Sequence, residues 1–160
     1  MVKIKTAILT VSDSCARGGR EDISGRTVKE ILGKSGFEIC DSKIVADDSE
    51  KIEEQLKYFS DDVGADVVIT CGGTGLGPRD VTPEATNAVC EKIIPGLSEI
   101  IRVRGWQMTK NAVLSRGIAG IRGKTLIINL PGSTKGAKES LEIILDVLPH
   151  AVEMMLGSGH

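Results

Sequence analysis

Residues 65–71 are apolar almost throughout, and they run straight into Gly72-Gly73-Thr74-Gly75-Leu76-Gly77-Pro78-Arg79-Asp80. Glycines released at the end of a buried strand can turn successive backbone N–H groups toward one point. Such a cradle of amide donors, with a helix start close behind, holds an anion and above all a phosphate. Glycines after a strand also make plain tight turns, but three within residues 72–75, followed by Arg79-Asp80, favour the cradle. The two commonest phosphate loops are excluded by the letters. A P-loop needs Lys and then Ser or Thr after its last glycine, where this chain has Pro78 and Arg79. Gly123-Lys124-Thr125 has Ile118 in place of the first glycine and a strand-like run behind it. A dinucleotide turn beginning Gly73-x-Gly75 would need a third glycine where Pro78 stands.

Phosphate chemistry also calls for carboxylates that can share a divalent cation. Asp47 and Asp80 each lie just beyond an expected strand. Two readings stand for Asp47. Asp47-x-x-Glu50 has the spacing of a helix cap, and an acid in that place is equally a cation ligand; the adjacent Asp48 can exchange roles with it. Asp80 is surplus to folding, because Thr82-Pro83-Glu84 already supplies an N-cap, a proline at the first helical position and an early acid. Function is the better reading there.

Other polar residues have plainer alternatives. Ser12-Asp13 closes the first strand, where an ordinary polar turn suffices. Asn129 inside an apolar strand either satisfies a neighbouring loop or reads an adenine edge, and Pro131-Gly132 lets backbone approach a ligand closely. Ser115 and Arg116 could bind phosphate through a planar fork, although surface arginines are usually just solvated. Thr134 and Lys135 could add donors at the last helix. Cys15, Cys40, Cys71 and Cys90 are widely spaced, with only His150 and His160 to join them, so neither a zinc knuckle nor a redox pair is signalled. They are expected to be reduced and mostly buried small apolar side chains.

The elements that position these groups follow from periodicity. Strands are expected over 4–11, 37–46, 65–71 and 125–130, and the long polar stretch 12–25 separates the first from a helix over 27–32 ended by Gly33 and Gly36. Ile52, Leu56 and Phe59 mark a second helix. A third runs from Thr82 to about residue 92, where Pro95-Gly96 breaks it, and a fourth covers 97 to about 104. The last places Ala137, Leu141, Ile144, Leu145 and Leu148 on one face, with a frayed tail after Leu156. Strands alternating with helices through short connections give a doubly wound α/β sandwich of three layers around a mainly parallel sheet, one domain over residues 1–160. Ligands then bind at the strand C-terminal ends, where loops 12–25, 47–49, 72–80 and 131–133 converge.

Composition narrows the function. Twenty basic against 22 acidic residues leave a formal charge of −2, and only one Trp, one Tyr and two Phe are present. Neither the basic surplus nor the stacking platform of a nucleic-acid binder exists. The apolar start at residues 7–11 is stopped by Asp13, too short for a signal sequence, and no run approaches a membrane span. A soluble, cytoplasmic protein is expected.

Residues 69–86 (ITCGGTGLGPRDVTPEAT), with Thr10-Val11-Ser12-Asp13, Leu114-Ser115-Arg116 and Asn129-Leu130-Pro131-Gly132-Ser133, resemble the MogA/MoaB family of molybdenum-cofactor biosynthesis. Within it the chain is most similar to the molybdopterin adenylyltransferases, a group that includes the gephyrin G-domain. The resemblance extends from Lys5 to about Leu156. It implies transfer of AMP from Mg-ATP to the terminal phosphate of molybdopterin, with release of pyrophosphate. It makes Asp47 and Asp80 the catalytic acids and the ligands of Mg²⁺. Ser12, Asp13, Gly72, Gly73, Thr74, Gly75, Thr82, Glu84, Ser115, Arg116, Asn129, Pro131, Gly132 and Ser133 then face molybdopterin or ATP. It further implies a homotrimer, with a hexamer as the variant, and a molybdenum-insertion protein as partner. The alternative from another class is a MoaB-type protein that binds or scaffolds molybdopterin without catalysis.

Overall fold

A computed structural model describes residues 2–158. Its centre is a six-stranded sheet formed by β1 (Lys5–Val11), β2 (Glu38–Val45), β3 (Val67–Cys71), β4 (Lys92–Ile93), β5 (Ala119–Arg122) and β6 (Thr125–Leu130), in the order β2-β1-β3-β6-β5-β4. β2, β1, β3 and β6 are mutually parallel, and β5 runs against both of its neighbours. The expected α/β class and mainly parallel sheet are therefore present.

Side chains of the central strands alternate between two cores. Ile8, Ile69 and Ile128 point to a core shared with helices α2 (Ile23–Lys34), α5 (Pro95–Met108), α6 (Thr134–Ile144) and α7 (Leu148–Met155). Leu9, Val68 and Ile127 point to the opposite core, closed by α3 (Ser49–Lys57) and α4 (Thr82–Val89). Because both faces are covered, β3 is buried at every residue, which explains its unbroken apolar run.

Several boundaries differ from the sequence expectation, each for a local reason. α2 starts at Ile23, four residues before the expected start, because Asp22 caps it by accepting the Gly25 N–H at 2.9 Å. Gly33 lies inside this helix, and Gly36, with φ +88°, makes the turn out of it. α4 stops at Val89, because residues 92–93 pair with β5. Pro95 opens α5 as its first-turn proline, so Pro95-Gly96 begins a helix as well as ending the preceding segment. The β5–β6 hairpin, turning at Gly123 with φ +58°, was not expected. α7 ends at Met155 and Ser158 donates back to the Glu153 carbonyl at 3.1 Å, while His160, at the end of the expected frayed tail, lies outside the described residues. Cys71 is buried, with its thiol pushed up to about 12 by desolvation, but Cys15, Cys40 and Cys90 are only half-buried. Among the described residues no helix is long and apolar enough to cross a membrane.

Candidate active site

The C-terminal ends of β1, β2, β3 and β6 deliver four loops to one edge of the sheet. A short helix, α1 (Asp13–Ala16), follows β1, and the Ser12 hydroxyl caps it by accepting the Cys15 N–H at 3.2 Å. After β2 the ambiguity between the two acids resolves. Asp48 caps α3, accepting the Lys51 N–H at 3.1 Å, and Asp47 is left for another use. The Asp47 N–H donates to Asp13 Oδ1 at 3.0 Å and the Asp13 N–H to Asp47 Oδ2 at 2.9 Å, so the two loops grip each other reciprocally. Burial pushes the Asp47 carboxyl above the usual carboxylate range, and the nearby charges of Asp13 and Asp80 push it the same way. The Arg79 guanidinium does the opposite for Asp13, holding it below that range through two hydrogen bonds of 3.0 and 2.8 Å.

The glycine loop is shaped by two close approaches. Gly72 (φ +107°) has the Val11 carbonyl where a Cβ would stand, at 2.2 Å, and Gly73 (φ +70°) has the Thr82 hydroxyl at 2.2 Å and Asp47 Oδ1 at 3.2 Å. Both the left-handed backbone and the space exclude a side chain here. The N–H groups of Gly73, Thr74 and Gly75 donate to no acceptor among the described residues, as an anion cradle requires. Asp80 folds back inside the loop, with Oδ2 accepting the Gly77 N–H at 2.9 Å.

Two clefts open on this edge. One, of about 580 Å³, has Thr74, Gly75 and Leu76 on one wall, Pro131 and Lys135 on another, and apolar Ile101, Met108 and Ile143 behind, with Ser115 at its side. The second, of about 330 Å³, is more polar and lies over Thr10, Ser12, Asp22, Ser24 and Asp47. Gly73, Asp80, Gly132 and Ser133 border both clefts, so the floor between them is made of amides, a hydroxyl and one carboxylate.

Five residues expected to face a ligand line neither cleft. Asn129 is 4% exposed, donating to the Thr70 and Thr86 hydroxyls at 3.0 and 2.9 Å and accepting the Ile118 N–H at 3.2 Å, so its amide is engaged inside the fold, as the first of its two readings expects. Thr82 is buried and donates to the Gly72 carbonyl at 2.9 Å, so it pins the glycine turn, and it makes no side-chain cap for α4. Arg116 donates to the Gly75 and Asp80 carbonyls, both at 2.8 Å, and its third direction is taken by Glu84. Arg116 and Glu84 thus brace the loop from outside, where a phosphate-binding fork was expected. Asp13 is committed to Asp47 and Arg79. The remaining expected residues border one cleft or both.

Asp22, Thr10 and Ser24 were not anticipated. Asp22 accepts from the Thr10 hydroxyl at 2.6 Å, and Ser24 donates to the Gly132 carbonyl at 2.7 Å, closing the floor of the polar cleft. The cap spacing Asp22-x-x-Gly25 was the available signal, hidden in a stretch that reads as uniformly polar.

The site carries two oxygens suited to a hard cation. Asp47 Oδ1 and Asp80 Oδ1 accept no hydrogen bond among the described residues, and the two carboxylates lie close enough for the charge of one to raise the other. No group of three or more His, Cys, Asp or Glu able to hold a metal occurs among the described residues. A cation that completes its shell with phosphate oxygens and water needs only one or two carboxylates, so the pair fits magnesium.

Residues 7–150 match the family model described as a probable molybdopterin binding domain. The chain is 41% identical over 160 residues to the molybdopterin adenylyltransferase of Helicobacter pylori, covering 99% of this chain and 91% of that protein. It superposes with a TM-score of 0.92 and 47% identity on the molybdopterin biosynthesis enzyme MoaB of Thermus thermophilus, over 96% of this chain and 97% of that one. The Mog protein of Mycobacterium ulcerans gives a TM-score of 0.90 at 38% identity, over 98% and 99% of the two chains. With glycine cradle, paired acids and sheet order all in place, the chain belongs to the MogA/MoaB family of molybdenum-cofactor biosynthesis.

Proposed function

We propose that the chain is a nucleotidyltransferase that moves AMP from Mg-ATP onto the terminal phosphate of molybdopterin. The observation that carries this reading is the pair of clefts sharing Gly73, Asp80, Gly132 and Ser133, which allows two anionic ligands to meet over one carboxylate. In the reaction an oxygen of the molybdopterin phosphate forms a bond to the α-phosphorus of ATP, the bond from that phosphorus to the bridging oxygen breaks, and pyrophosphate leaves. The attacking phosphate monoester is largely ionised at neutral pH, so no base is needed. Among the described residues no histidine lines either cleft, in keeping with this.

What the residues must do is hold polyanions together. The free amides of Gly73, Thr74 and Gly75 offer donors to phosphate oxygens without a charge that would have to be desolvated. Ser133 starts α6 at the border of both clefts, where helix amides favour negative charge. Asp47 and Asp80 are the residues that would hold Mg²⁺, which when bound neutralises charge on the nucleotide phosphates. The same proposal carries a homotrimer, supported by Ile100, Val103 and Trp106 at spacings of three on the exposed side of α5. It also carries a cytoplasmic setting and a molybdenum-insertion protein that receives the product.

The test is purified protein with α-labelled ATP, Mg²⁺ and molybdopterin. Adenylyl-molybdopterin and pyrophosphate should appear in equal amounts. Molybdopterin binding without pyrophosphate release would overturn the reading in favour of a scaffold.

A further inference from the structure

Arg79 lines neither cleft, and the reaction above gives it no task. Its guanidinium is nevertheless fully aligned on one carboxylate, Nε to Asp13 Oδ2 at 3.0 Å and Nη2 to Asp13 Oδ1 at 2.8 Å. Asp13 Oδ1 accepts the Asp47 N–H as well, and the Asp13 N–H reaches Asp47 Oδ2. We propose that Arg79 is a positioning residue that fixes the Asp47 carboxylate by way of Asp13. The inference rests on the reading of Asp47 as an acid that holds the cation.

Three features support it. A forked pair sets the plane of a carboxylate, which a single ammonium cannot do. With the Asp13 carboxylate held in that plane, its Oδ1 is kept on the Asp47 N–H and fixes the backbone from which the Asp47 carboxylate projects, while the Asp13 backbone N–H holds Asp47 Oδ2 and leaves Oδ1 beside Gly73. Next, Asp13, Asp47 and Asp80 are neighbouring like charges, and among the described residues the one cation bonded to any of their carboxylates is Arg79. Finally, Arg79 immediately precedes Asp80, so the same contact ties the loop bearing Asp80 to the strand ends bearing Asp47. One side chain thereby constrains the separation of the two acids. An ion pair whose arginine side chain is 65% exposed adds little to global stability, so its effect is local alignment.

The test compares wild type with Arg79→Gln, Arg79→Lys, Asp13→Asn and the Arg79→Gln/Asp13→Asn double variant. Three readouts are taken: amide hydrogen exchange at Asp13 and Asp47 in the resting protein, Mn²⁺ affinity by electron paramagnetic resonance with a non-hydrolysable ATP analogue, and steady-state adenylyl transfer. Arg79→Gln is expected to speed exchange at those two amides, weaken Mn²⁺ binding about 10-fold and lower kcat about 10-fold, with KM for molybdopterin nearly unchanged. Arg79→Lys recovers only part of each loss. The double variant should be no worse than the poorer single one, because both break one chain of contacts. Multiplicative losses in the double variant, or a raised KM with kcat intact in Arg79→Gln alone, would show that Arg79 contacts substrate itself and overturn the proposal. Unchanged exchange and Mn²⁺ affinity in Arg79→Gln would overturn it as well. If the wild type adenylylates nothing, the proposed reaction fails, while exchange and Mn²⁺ affinity still decide the role of Arg79.

Discussion

Two loops present the two acids, and they hold them by opposite means. After β2 the chain needs only residues 46–48 to reach α3, and Asp47 is fixed by side-chain bonds to a neighbouring strand end. After β3 the chain takes the longer path 72–81, and Asp80 is fixed mainly by backbone: its N–H donates to the Gly77 carbonyl at 3.1 Å, its carboxylate accepts from Gly77, and its carbonyl accepts from Arg116. A residue two positions beyond the end of an edge strand, held by reciprocal bonds to the exit of the neighbouring strand, inherits its position from the sheet. A residue at the far end of a glycine-rich loop inherits nothing and must be braced, which is the work of Arg116, Glu84 and Thr82. Substitutions at Asp47 should therefore stay local, whereas in the glycine loop a single methyl group should disturb everything downstream.

The largest expected effect tests whether the acids are equivalent in use despite this difference in support. Asp80→Asn and Asp47→Asn are each expected to cut adenylyl transfer by at least about 100-fold, the scale of losing one preorganised electrostatic group. Unfolding free energies from urea titrations should remain within about 0.5 kcal/mol of wild type, because neither residue supports the core. Full turnover in either variant would remove that acid from the site. Gly73→Ala comes next and strikes the loop alone. A Cβ at φ +70° would lie 2.2 Å from the Thr82 hydroxyl and 3.2 Å from Asp47 Oδ1, so a loss of about 1–3 kcal/mol is expected together with loss of activity. Gly33→Ala is the control. That glycine is helical, exposed and has no atom within 4 Å of a built Cβ, so the change should raise stability by about 0.5–1 kcal/mol in thermal unfolding.

The same contrast decides what the sequence could disclose. The glycine loop was legible because few other roles require Gly72-Gly73-Thr74-Gly75 after an apolar strand. The helices with clear periodicity, such as the one carrying Ile52 and Leu56, were legible for the same reason. The division of labour between Asp47 and Asp48 was not, since either acid suits a cap by its type and only the turn geometry shows that Asp48 is the one used. Arg116, Thr82 and Asn129 are polar residues at the right edge of the fold. Their partners are carbonyls and hydroxyls 10 to 59 positions away along the chain, and no local pattern encodes such pairs. The strand β5 escaped because Ala119-Gly120-Ile121-Arg122 has little strand propensity of its own. Gly120 is there because Cys90 Sγ and the Lys92 carbonyl would each stand 2.8 Å from a Cβ.

A smaller effect separates the adjacent acids. Asp48→Ala removes the α3 cap and should cost about 1 kcal/mol of stability while leaving adenylyl transfer intact. If Asp48→Ala abolished turnover without loss of stability, the assignment of the two residues would be reversed.

The smallest expected effect is the most direct measure of whether the two loops form one site. Asp47 and Asp13 touch, yet their carboxyls shift in opposite directions, Asp47 upward by burial and Asp13 downward by the Arg79 hydrogen bonds. The signs have opposite consequences. Asp47 binds its proton more tightly folded than unfolded, so its contribution to stability is present at low pH and is lost as pH rises through the raised value. Asp13 contributes above the usual carboxylate range and loses that contribution as pH falls through its lowered value. The charge of Asp80 is one of the influences that raise Asp47, although it ranks behind burial and the charge of Asp13. Asp80→Asn should therefore lower the Asp47 midpoint slightly and leave Asp61, paired with Arg122 by two hydrogen bonds, where it was. Carboxylate carbon shifts followed by NMR through an acid titration, without added magnesium, measure both in one sample. An Asp47 midpoint that stayed fixed would mean that the strand-end acid and the loop acid do not sense each other, and two carboxylates that do not sense each other across that gap could not share one cation.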